Sequence, residues 1–493
     1  LKTGSNYAIL FGKKDFVMLP IVKQGKREPQ GATTASTTHP KEDGVIQFFH
    51  DGNKIYFVSL GCPRNLVDSE VMLGILLKAG YEPAQELHEA DYLVINTCGF
   101  LEASRNESSE AIENTLADRK KGAKLIVTGC MVQTHSDKLK EKFPGIDYFL
   151  GSGDVEGILK AVQATQKGEM ITSARSYLEA GEVPRQISTP RHFAYLKIAE
   201  GCRKRCSYCV IPTIKGPLKS KTEERILKEF NTLLNNGTRE IILIAQDLGD
   251  YGKDKGSKNL AALISLLKQM LEVKEQFWLR LLYLYPDEIT DELIALMKSD
   301  KRICPYLDMP IQHINNQMLK SMRRATSRED IINTITKLRK EVPGVVIRTS
   351  LIVGFPGETD EQFEELAQFV QEHPLDNIGI FKFSREEGSH AYDLPNQIPE
   401  EVKEKRHRRL VQIQQKVVRK LNKKLIGKTF EVVVEGYHPE SKLLMRGRYA
   451  GQCPDIDGMI LINEGTEKVS GFGQRYQVQI TDALDYDLVG KII

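Results

Sequence analysis

The sequence predicts an α/β protein in three folded parts: an N-terminal parallel α/β domain, a partial TIM-like (β/α)6 barrel and a small C-terminal β-barrel. Three observations predict it. Short apolar runs alternate with helical stretches across residues 53–165 and again across 191–426, the pattern of parallel strands joined by helical crossovers. Residues 166–190, between these blocks, are polar and hold two prolines, which suits a linker. From Gly427 to the end, residues 427–493, the pattern becomes short strands separated by Gly and Asp turns. A chain of 493 residues is also too long for one hydrophobic core.

In the first block, the run from Lys54 to Leu60 ends in Gly61-Cys62, and a helical pattern over 69–78 is closed by Gly80. The runs beginning at Tyr92 and Lys124 end in Cys98 and Cys130. Each reads as a strand buried on both faces. Ligands gather at the carboxyl ends of such strands, so three cysteines far apart in sequence converge on one edge. In the second block, strands are expected at 195–199, 240–245, 278–283, 306–309, 345–352 and 378–383, with helices between them, for example at 223–235 and 360–371. Six units fit a partial barrel better than a closed eightfold one. The C-terminal strands are expected at 429–435, 443–449, 459–462, 475–481 and 488–492, a barrel of the oligonucleotide-binding type. Its acidic residues outnumber its basic ones by ten to seven. A domain that gripped RNA through phosphates would be basic, so this one suits a basic protein partner.

The bulk numbers exclude more than they assign. Net charge is only +3, with 41% hydrophobic and 27% charged residues, ordinary values for a globular protein. No run of 18 apolar residues marks a membrane span. The apolar patch at 7–22 is broken by Lys13, Lys14 and Asp15, so no secretory signal is read there. Eight cysteines without such a signal read as reduced thiols or metal ligands, and the cytoplasm is the expected compartment. Residues 1–52 read as an atypical, disordered extension without an assigned function.

The densest chemistry lies in Glu200-Gly-Cys-Arg-Lys-Arg-Cys-Ser-Tyr-Cys, where Cys202, Cys206 and Cys209 follow a C-x3-C-x2-C spacing after the first barrel strand. Structural zinc takes four ligands, commonly as paired C-x2-C knuckles, and no second knuckle or nearby His completes this set. An iron–sulfur cube held by three thiolates keeps one iron open. The amino and carboxylate groups of S-adenosylmethionine can chelate that iron, and an electron from the cluster can then cleave the sulfonium to an adenosyl radical. The bland reading is three unligated loop thiols. Arg203, Lys204 and Arg205 read as solvated loop positions.

The Cys202 loop resembles that of the radical S-adenosylmethionine superfamily. With Cys62, Cys98 and Cys130 upstream and the terminal small barrel, residues 53–493 are similar to the methylthiotransferases. The nearer branch within that family is the one acting on ribosomal protein uS12. The segments that carry this are Ala194-Tyr-Leu-Lys-Ile-Ala-Glu-Gly-Cys, Leu243-Ile-Ala-Gln-Asp, Leu281-Leu-Tyr-Leu-Tyr-Pro, Tyr306-Leu-Asp-Met-Pro-Ile-Gln-His, Leu351-Ile-Val-Gly-Phe-Pro-Gly-Glu-Thr and Arg448-Tyr-Ala-Gly-Gln-Cys-Pro-Asp-Ile-Asp-Gly. The resemblance implies two [4Fe-4S] clusters, one on Cys62, Cys98 and Cys130 and one on Cys202, Cys206 and Cys209, with a terminal TRAM domain. It implies methylthiolation of the β-carbon of a uS12 aspartate. One S-adenosylmethionine would methylate a sulfur on the first cluster and a second would supply the radical. An external electron donor and a sulfur source are implied too, with no membrane and no direct nucleic-acid substrate. One departure is Ser220-Lys221, where the family commonly has Ser-Arg, because Lys cannot make a bidentate contact.

Tyr208, Gln246, Asp247, Gln312, His313, Arg348 and Gly354 are candidate contacts for S-adenosylmethionine or substrate. Each also has a plain structural reading: polar residues at strand ends cap helices, Gly354 forms a turn, and Tyr208 packs. No side-chain acid or base is expected to carry catalysis. Cys304 and Cys453 read as core. Two other functions stay open, a tRNA-adenosine C2 methylthiotransferase of the same architecture and a non-catalytic iron–sulfur or zinc protein.

Overall fold

The computed structural model describes residues 17–18, 53–172, 176–179 and 181–493. The rest of the 1–52 stretch lies outside the described residues.

The N-terminal domain is built on β1 (Lys54–Ser59), β2 (Tyr92–Thr97), β3 (Lys124–Gly129) and β4 (Tyr148–Gly151), parallel and side by side in that order. Glu82–Pro83 pairs parallel with β1, and Val17–Met18 pairs antiparallel with it. Alternate strand residues feed opposite layers, since Val94 packs under α1 (Pro63–Lys78) while Leu93 and Ile95 pack under α2 (Glu102–Asp118) and α3 (Cys130–Lys142). The sheet is covered on both faces. Helix α1 starts six residues before the expected boundary, because its opening turns bury polar side chains. Asn65 and Asp68 are each 2% exposed and Glu70 is 0% exposed, so the apolar period is absent there.

The stretch expected as a linker is tied down. Gly168–Met170 adds a parallel edge strand beside β4, and Glu70 accepts from Arg185 Nη2 at 2.6 Å and from the Ser188 N–H at 2.7 Å.

The central sheet holds six parallel strands in chain order, β5 (Phe193–Lys197), β6 (Glu240–Ile244), β7 (Trp278–Leu281), β8 (Ile303–Asp308), β9 (Val346–Val353) and β10 (Asn377–Lys382). It is an open, partial barrel, as expected. Strand β8 begins at Ile303 rather than 306, because Pro305 lies inside it and forces an irregular register against β7 between Leu279 and Leu281. The outer helices are α4 (Glu223–Asn235), α5 (Ala261–Met270), α6 (Asp291–Ser299), α7 (Arg328–Glu341), α8 (Asp360–Glu372) and α9 (Glu400–Lys423). Capping boxes at Ser327/Asp330 and Thr359/Gln362 start α7 and α8.

Strands β11 (Thr429–His438), β12 (Ser441–Tyr449), β13 (Ile460–Glu464), β14 (Gln474–Ala483) and β15 (Leu488–Ile492) close a barrel in the order β11-β12-β13-β15-β14. Cys453 and Val433 from this domain join Phe193, Tyr195, Ile242, Trp278, Cys304 and Tyr306 inside the partial barrel, so Cys304 and Cys453 are core. A buried ionic network fixes the docking. Glu240 accepts from Arg280 Nε at 2.8 Å and from Arg448 Nη2 at 2.9 Å, and Arg448 also reaches Glu435 at 2.7 Å.

Candidate functional site

Each upstream cysteine sits at a sheet edge where the backbone is already constrained. Cys62 is the N-cap of α1, with Pro63 pre-setting the first turn, and its carbonyl accepts from the Leu66 N–H at 3.1 Å. Asn65 Nδ2 donates to Leu60 O at 2.7 Å and Asn96 Nδ2 to Asn65 O at 2.9 Å, which ties the ends of β1 and β2 together. Thr97 Oγ1 donates to Thr128 O at 2.6 Å and does the same for β2 and β3. Gly61 has φ +88, and a Cβ there would lie 2.8 Å from Cys98 Cβ and 3.0 Å from its sulfur. Only glycine lets the Cys62 and Cys98 loops approach this closely.

The three upstream thiols act on one another electrostatically. Burial pushes the Cys98 thiol up, with Cys62 adding to it, and pushes Cys130 up to about 12. Burial also acts to raise Cys62, but the Arg64 guanidinium, the Asn65 N–H and Lys215 outweigh it and bring that thiol below its ordinary value. In the barrel loop, burial pushes Cys202 up to about 11 and Cys209 up to about 12. All six are free thiols. A cation that coordinates such sulfurs removes their protons outright.

Five of these sulfurs also have donors around them, the surroundings that suit iron–sulfur ligands, and Cys130 has the Lys215 cation near it. The Ile211 N–H donates to Cys209 Sγ at 3.4 Å, Arg324 Nη1 to Cys206 Sγ at 3.8 Å, and the Tyr285 hydroxyl lies 3.5 Å from Cys206 Sγ. The Lys204 N–H bonds Cys202, and the Phe100 N–H and Ser104 hydroxyl bond Cys98. The donor set fits a three-thiolate cluster in both places.

The two triads face one seam. Cys130 packs with Phe100 against Val210 and Ile214, the residues just after Cys209. Ser152 Oγ donates to Ile214 O at 3.1 Å, and Lys215 Nζ reaches Asp68 of α1 at 3.0 Å and Glu200 at 2.8 Å. Lys197 pairs with the same Asp68 and Glu200, so four buried charges neutralise one another beside Cys130. Arg64 spans the gap. It bonds Cys62, acts electrostatically on the Cys209 thiol, donates to Ala245 O at 3.0 Å and lies 4.8 Å over the Tyr283 ring.

The other candidates divide. Gln246 Oε1 is buried without a hydrogen-bond partner, as is one oxygen of Asp247. Asp247 also accepts from the Gly249 N–H at 3.0 Å and pairs with Lys204 at 3.4 Å, and burial pushes its carboxyl up to about 7. Gln312 stands at φ +69 where the chain bridges to Leu351. Arg348 pairs with two of the protein's own carboxylates, Asp308 at 3.1 Å and Asp457 at 3.7 Å. His313 is 0% exposed, its Nε2 3.1 Å from Glu358 and its Nδ1 accepting from the Asn315 N–H at 3.0 Å. Glu358 in turn accepts from the Gly354 N–H at 2.6 Å, so His313 supports the Gly354 turn from behind. Gly354 has φ +73 and lies against Lys403, with no room for a side chain. Tyr208 packs against Met318, Met322, Phe355 and Phe383.

Lys204 corrects an expectation. It is only 22% exposed and pairs with Glu288 at 2.7 Å as well as with Asp247, which pins the cysteine loop to the barrel rim, whereas Arg203 and Arg205 are exposed as expected. Sequence reasoning also missed Arg64, Tyr285 and Arg324. Tyr285 lies between two cations, Lys204 Nζ at 4.8 Å and Arg324 at 3.9 Å from its ring centre. The available signal was position: Arg64 follows a ligand cysteine by two residues, and Tyr285 follows a barrel strand.

Three family profiles match consecutive parts of the chain: "Uncharacterized protein family UPF0004" at residues 54–151, "Radical SAM superfamily" at 196–370 and "TRAM domain" at 426–493. The solved structure of TsrM from Kitasatospora setae, a radical S-adenosylmethionine methyltransferase with cobalamin and a [4Fe-4S] cluster bound, is 16% identical and covers 67% of this chain and 75% of its own, at TM-score 0.49. The ribosomal protein uS12 methylthiotransferase RimO of Protochlamydia amoebophila (strain UWE25) is 73% identical over 97% of this chain and 100% of its own. That of Chlamydia abortus (strain DSM 27085 / S26/3) is 56% identical over 91% and 98%. At such identity, along nearly the whole of both chains, the protein with these two facing thiol triads belongs to the RimO family of radical SAM methylthiotransferases.

Proposed function

We propose that this chain transfers a methylthio group to the β-carbon of an aspartate of ribosomal protein uS12, using S-adenosylmethionine and two [4Fe-4S] clusters. The observation that carries the reading is the pairing of two three-thiol sets across one seam, in a chain whose relatives bear that activity in their names. When bound, the cofactors supply an adenosyl radical that can break an unactivated C–H bond, together with the sulfur and methyl to be delivered.

Cys202, Cys206 and Cys209 would hold the cluster that meets S-adenosylmethionine, and Cys62, Cys98 and Cys130 the second. Lys204 fixes the first loop to the rim, Tyr285 and Arg324 donate to the Cys206 sulfur, and Arg64 orders the gap between the sets. Gln246, with an unpartnered buried oxygen, leads the candidate polar contacts, with Tyr208, Asp247, Gln312, Arg348 and the Gly354 turn beside it. The buried walls of the seam keep water from a reactive carbon centre.

The acid-rich C-terminal barrel suits a basic ribosomal protein, and an external reductant and a sulfur source complete the turnover. Work on a ribosomal protein supports a cytoplasmic location, and among the described residues no helix is long and apolar enough to cross a membrane. The alternative tRNA-adenosine substrate is not favoured by the relatives' names. Mass spectrometry of uS12 and of tRNA hydrolysates from cells with and without the gene tests the reading. A methylthio mass on one uS12 aspartate that disappears with the gene is expected. A loss seen only on tRNA adenosine would overturn it.

A further inference from the structure

The chain is nearly neutral as a whole, with 69 Lys and Arg against 66 Asp and Glu, yet between residues 405 and 430 it holds ten Lys and Arg and no Asp or Glu. Most of that stretch is α9, the helix that runs from the radical SAM core to the C-terminal barrel. At about 100° per residue, Lys405, Arg408, Arg409, Lys416, Arg419, Lys420 and Lys423 fall within a third of the helix circumference, a stripe about 27 Å long. All seven are exposed, while Leu410, Gln414 and Val418 on the opposite side are buried.

Self-neutralisation covers only the first half of the stripe. Arg408 pairs with Glu404 at 2.8 Å, Arg409 with Glu364, and Lys405 acts on Asp360. Arg419 has a loose partner in Asp485 at 3.8 Å. Lys416, Lys420, Lys423, Lys424 and Lys428 have no partner among the described residues. Many exposed lysines elsewhere, such as Lys228, Lys268, Lys298 and Lys337, pair with a carboxylate, and those that do not among the described residues, such as Lys258, Lys274, Lys301, Lys320 and Lys340, are scattered over the surface, so what is local here is the bare row.

We propose that the second half of α9 and the turn after it form a docking surface for the phosphate backbone of RNA, specifically the ribosomal RNA on which uS12 sits. The inference rests on the uS12 reading for the identity of the RNA and on the stripe itself for the chemistry. Lys side chains on a straight rod suit a backbone read as point charges, without base readout. From Lys405 onward the outward face of the helix presents only Lys, Arg and Gln412, and the turn after it adds one exposed aliphatic side chain, Ile426; a single such side chain is too little to enter a lipid surface, so RNA is favoured over a membrane. The neighbouring C-terminal barrel has the opposite charge balance. A basic protein seated on RNA presents both signs, and the two adjoining surfaces match both. RNA serves here as a docking partner and not as the modified substrate.

The test is binding of the full chain to a mixed-sequence RNA duplex and to purified small ribosomal subunits at several salt concentrations. Five phosphate contacts predict that affinity falls about 100- to 500-fold between roughly 50 and 200 mM salt. In the variant Lys416→Gln/Lys420→Gln/Lys423→Gln, two contacts remain, and the fall over the same range should be only about tenfold. The variant should modify a free uS12 peptide at the wild-type rate but small subunits more slowly. An unchanged salt dependence in the variant would overturn the proposal. So would loss of binding to phosphatidylserine vesicles, in the variant, without any loss of binding to RNA. If the wild-type chain leaves uS12 unmodified, the functional reading falls, while the salt dependence on the duplex still decides whether this surface binds RNA.

Discussion

Glu240→Gln should loosen the C-terminal barrel from the core while leaving both thiol triads in place. Glu240 is 1% exposed, Arg280 0% and Arg448 2%, and the carboxylate is the acid shared by both guanidinium groups. Burial works to raise the Glu240 carboxyl, but Arg448 and Arg280 together hold it at about 2, against 4.5 for a free glutamate, which corresponds to about 3 kcal/mol at neutral pH. Removing one member of a buried ionic group costs a similar amount, about 3–5 kcal/mol, because the remaining charges stay buried without compensation.

The chain carries its own probe. Its single tryptophan, Trp278, is 5% exposed and lies under Arg475 of β14, 4.4 Å from the ring centre. Denaturant titration followed by tryptophan emission should show a lower midpoint for Glu240→Gln, with the red shift of a newly wetted indole. The pH dependence has a fixed sign. Because the folded carboxyl is held low, its contribution is complete above the unfolded value near 4.5 and is lost as the pH falls from there toward 2. The wild-type midpoint should therefore drop across that window, and the variant should lack that part of the drop. A variant that melts like wild type at pH 7, or that keeps the full acid dependence, would refute the assignment of docking strength to Glu240.

Gly61→Ala should cost about 1–2 kcal/mol for its left-handed backbone alone. It should also push on Cys98, so iron content per chain after anaerobic reconstitution should fall by about half even where the melting temperature is partly restored. Arg324→Gln removes a cationic donor from Cys206, and the more reduced cluster gains most from that donor. A redox titration followed by electron paramagnetic resonance should show a midpoint lower by about 40 mV, for a hydrogen bond of about 1 kcal/mol, and an unshifted midpoint would remove Arg324 from this role. Cys130→Ser should keep release of 5′-deoxyadenosine and lose methylthiolation, with iron falling from about eight to about four per chain; Cys206→Ser should lose both.

How much of this was legible in the sequence depends on how local each cause is. The strand ends that carry Cys98 and Cys130 were readable because an apolar run stops where the chain leaves the sheet, and the run is contiguous. The start of α1 was not, because Asn65, Asp68 and Glu70 are buried by partners more than 25 residues away, such as Asn96, Lys215 and Arg185. The interruption in β8 had a visible cause in Pro305, yet the residues before it still pair because the register slips around it. Six open βα units were predictable; how the opening is filled was not, since Cys453 and Val433 come from a domain about 150 residues downstream of Cys304.

The same distinction separates the ligands from the groups that control them. A ligand cysteine declares itself by residue type and spacing, because few side chains bind iron and the loop must hold three of them. Tyr285 and Arg324 have no such signature: one follows β7, the other follows a short helix after β8, and they meet only because the barrel curves their loops over the same sulfur. His313 shows the converse. Its type and position at a strand end pointed to the site, but Glu358, 45 residues later, turns it inward, and Arg406 of α9 then fixes that carboxylate at 2.7 Å. Helix α9 thus uses its inner face to set the Gly354 turn at the barrel rim while its outer face carries the unpaired lysines. An RNA backbone bound along those lysines would press on a helix already bonded to the rim, so docking and the geometry of the site share one element. If that coupling is mechanical, duplex RNA should change the rate of 5′-deoxyadenosine release in wild type and not in the Lys416→Gln/Lys420→Gln/Lys423→Gln variant; equal rates with and without RNA would confine α9 to docking.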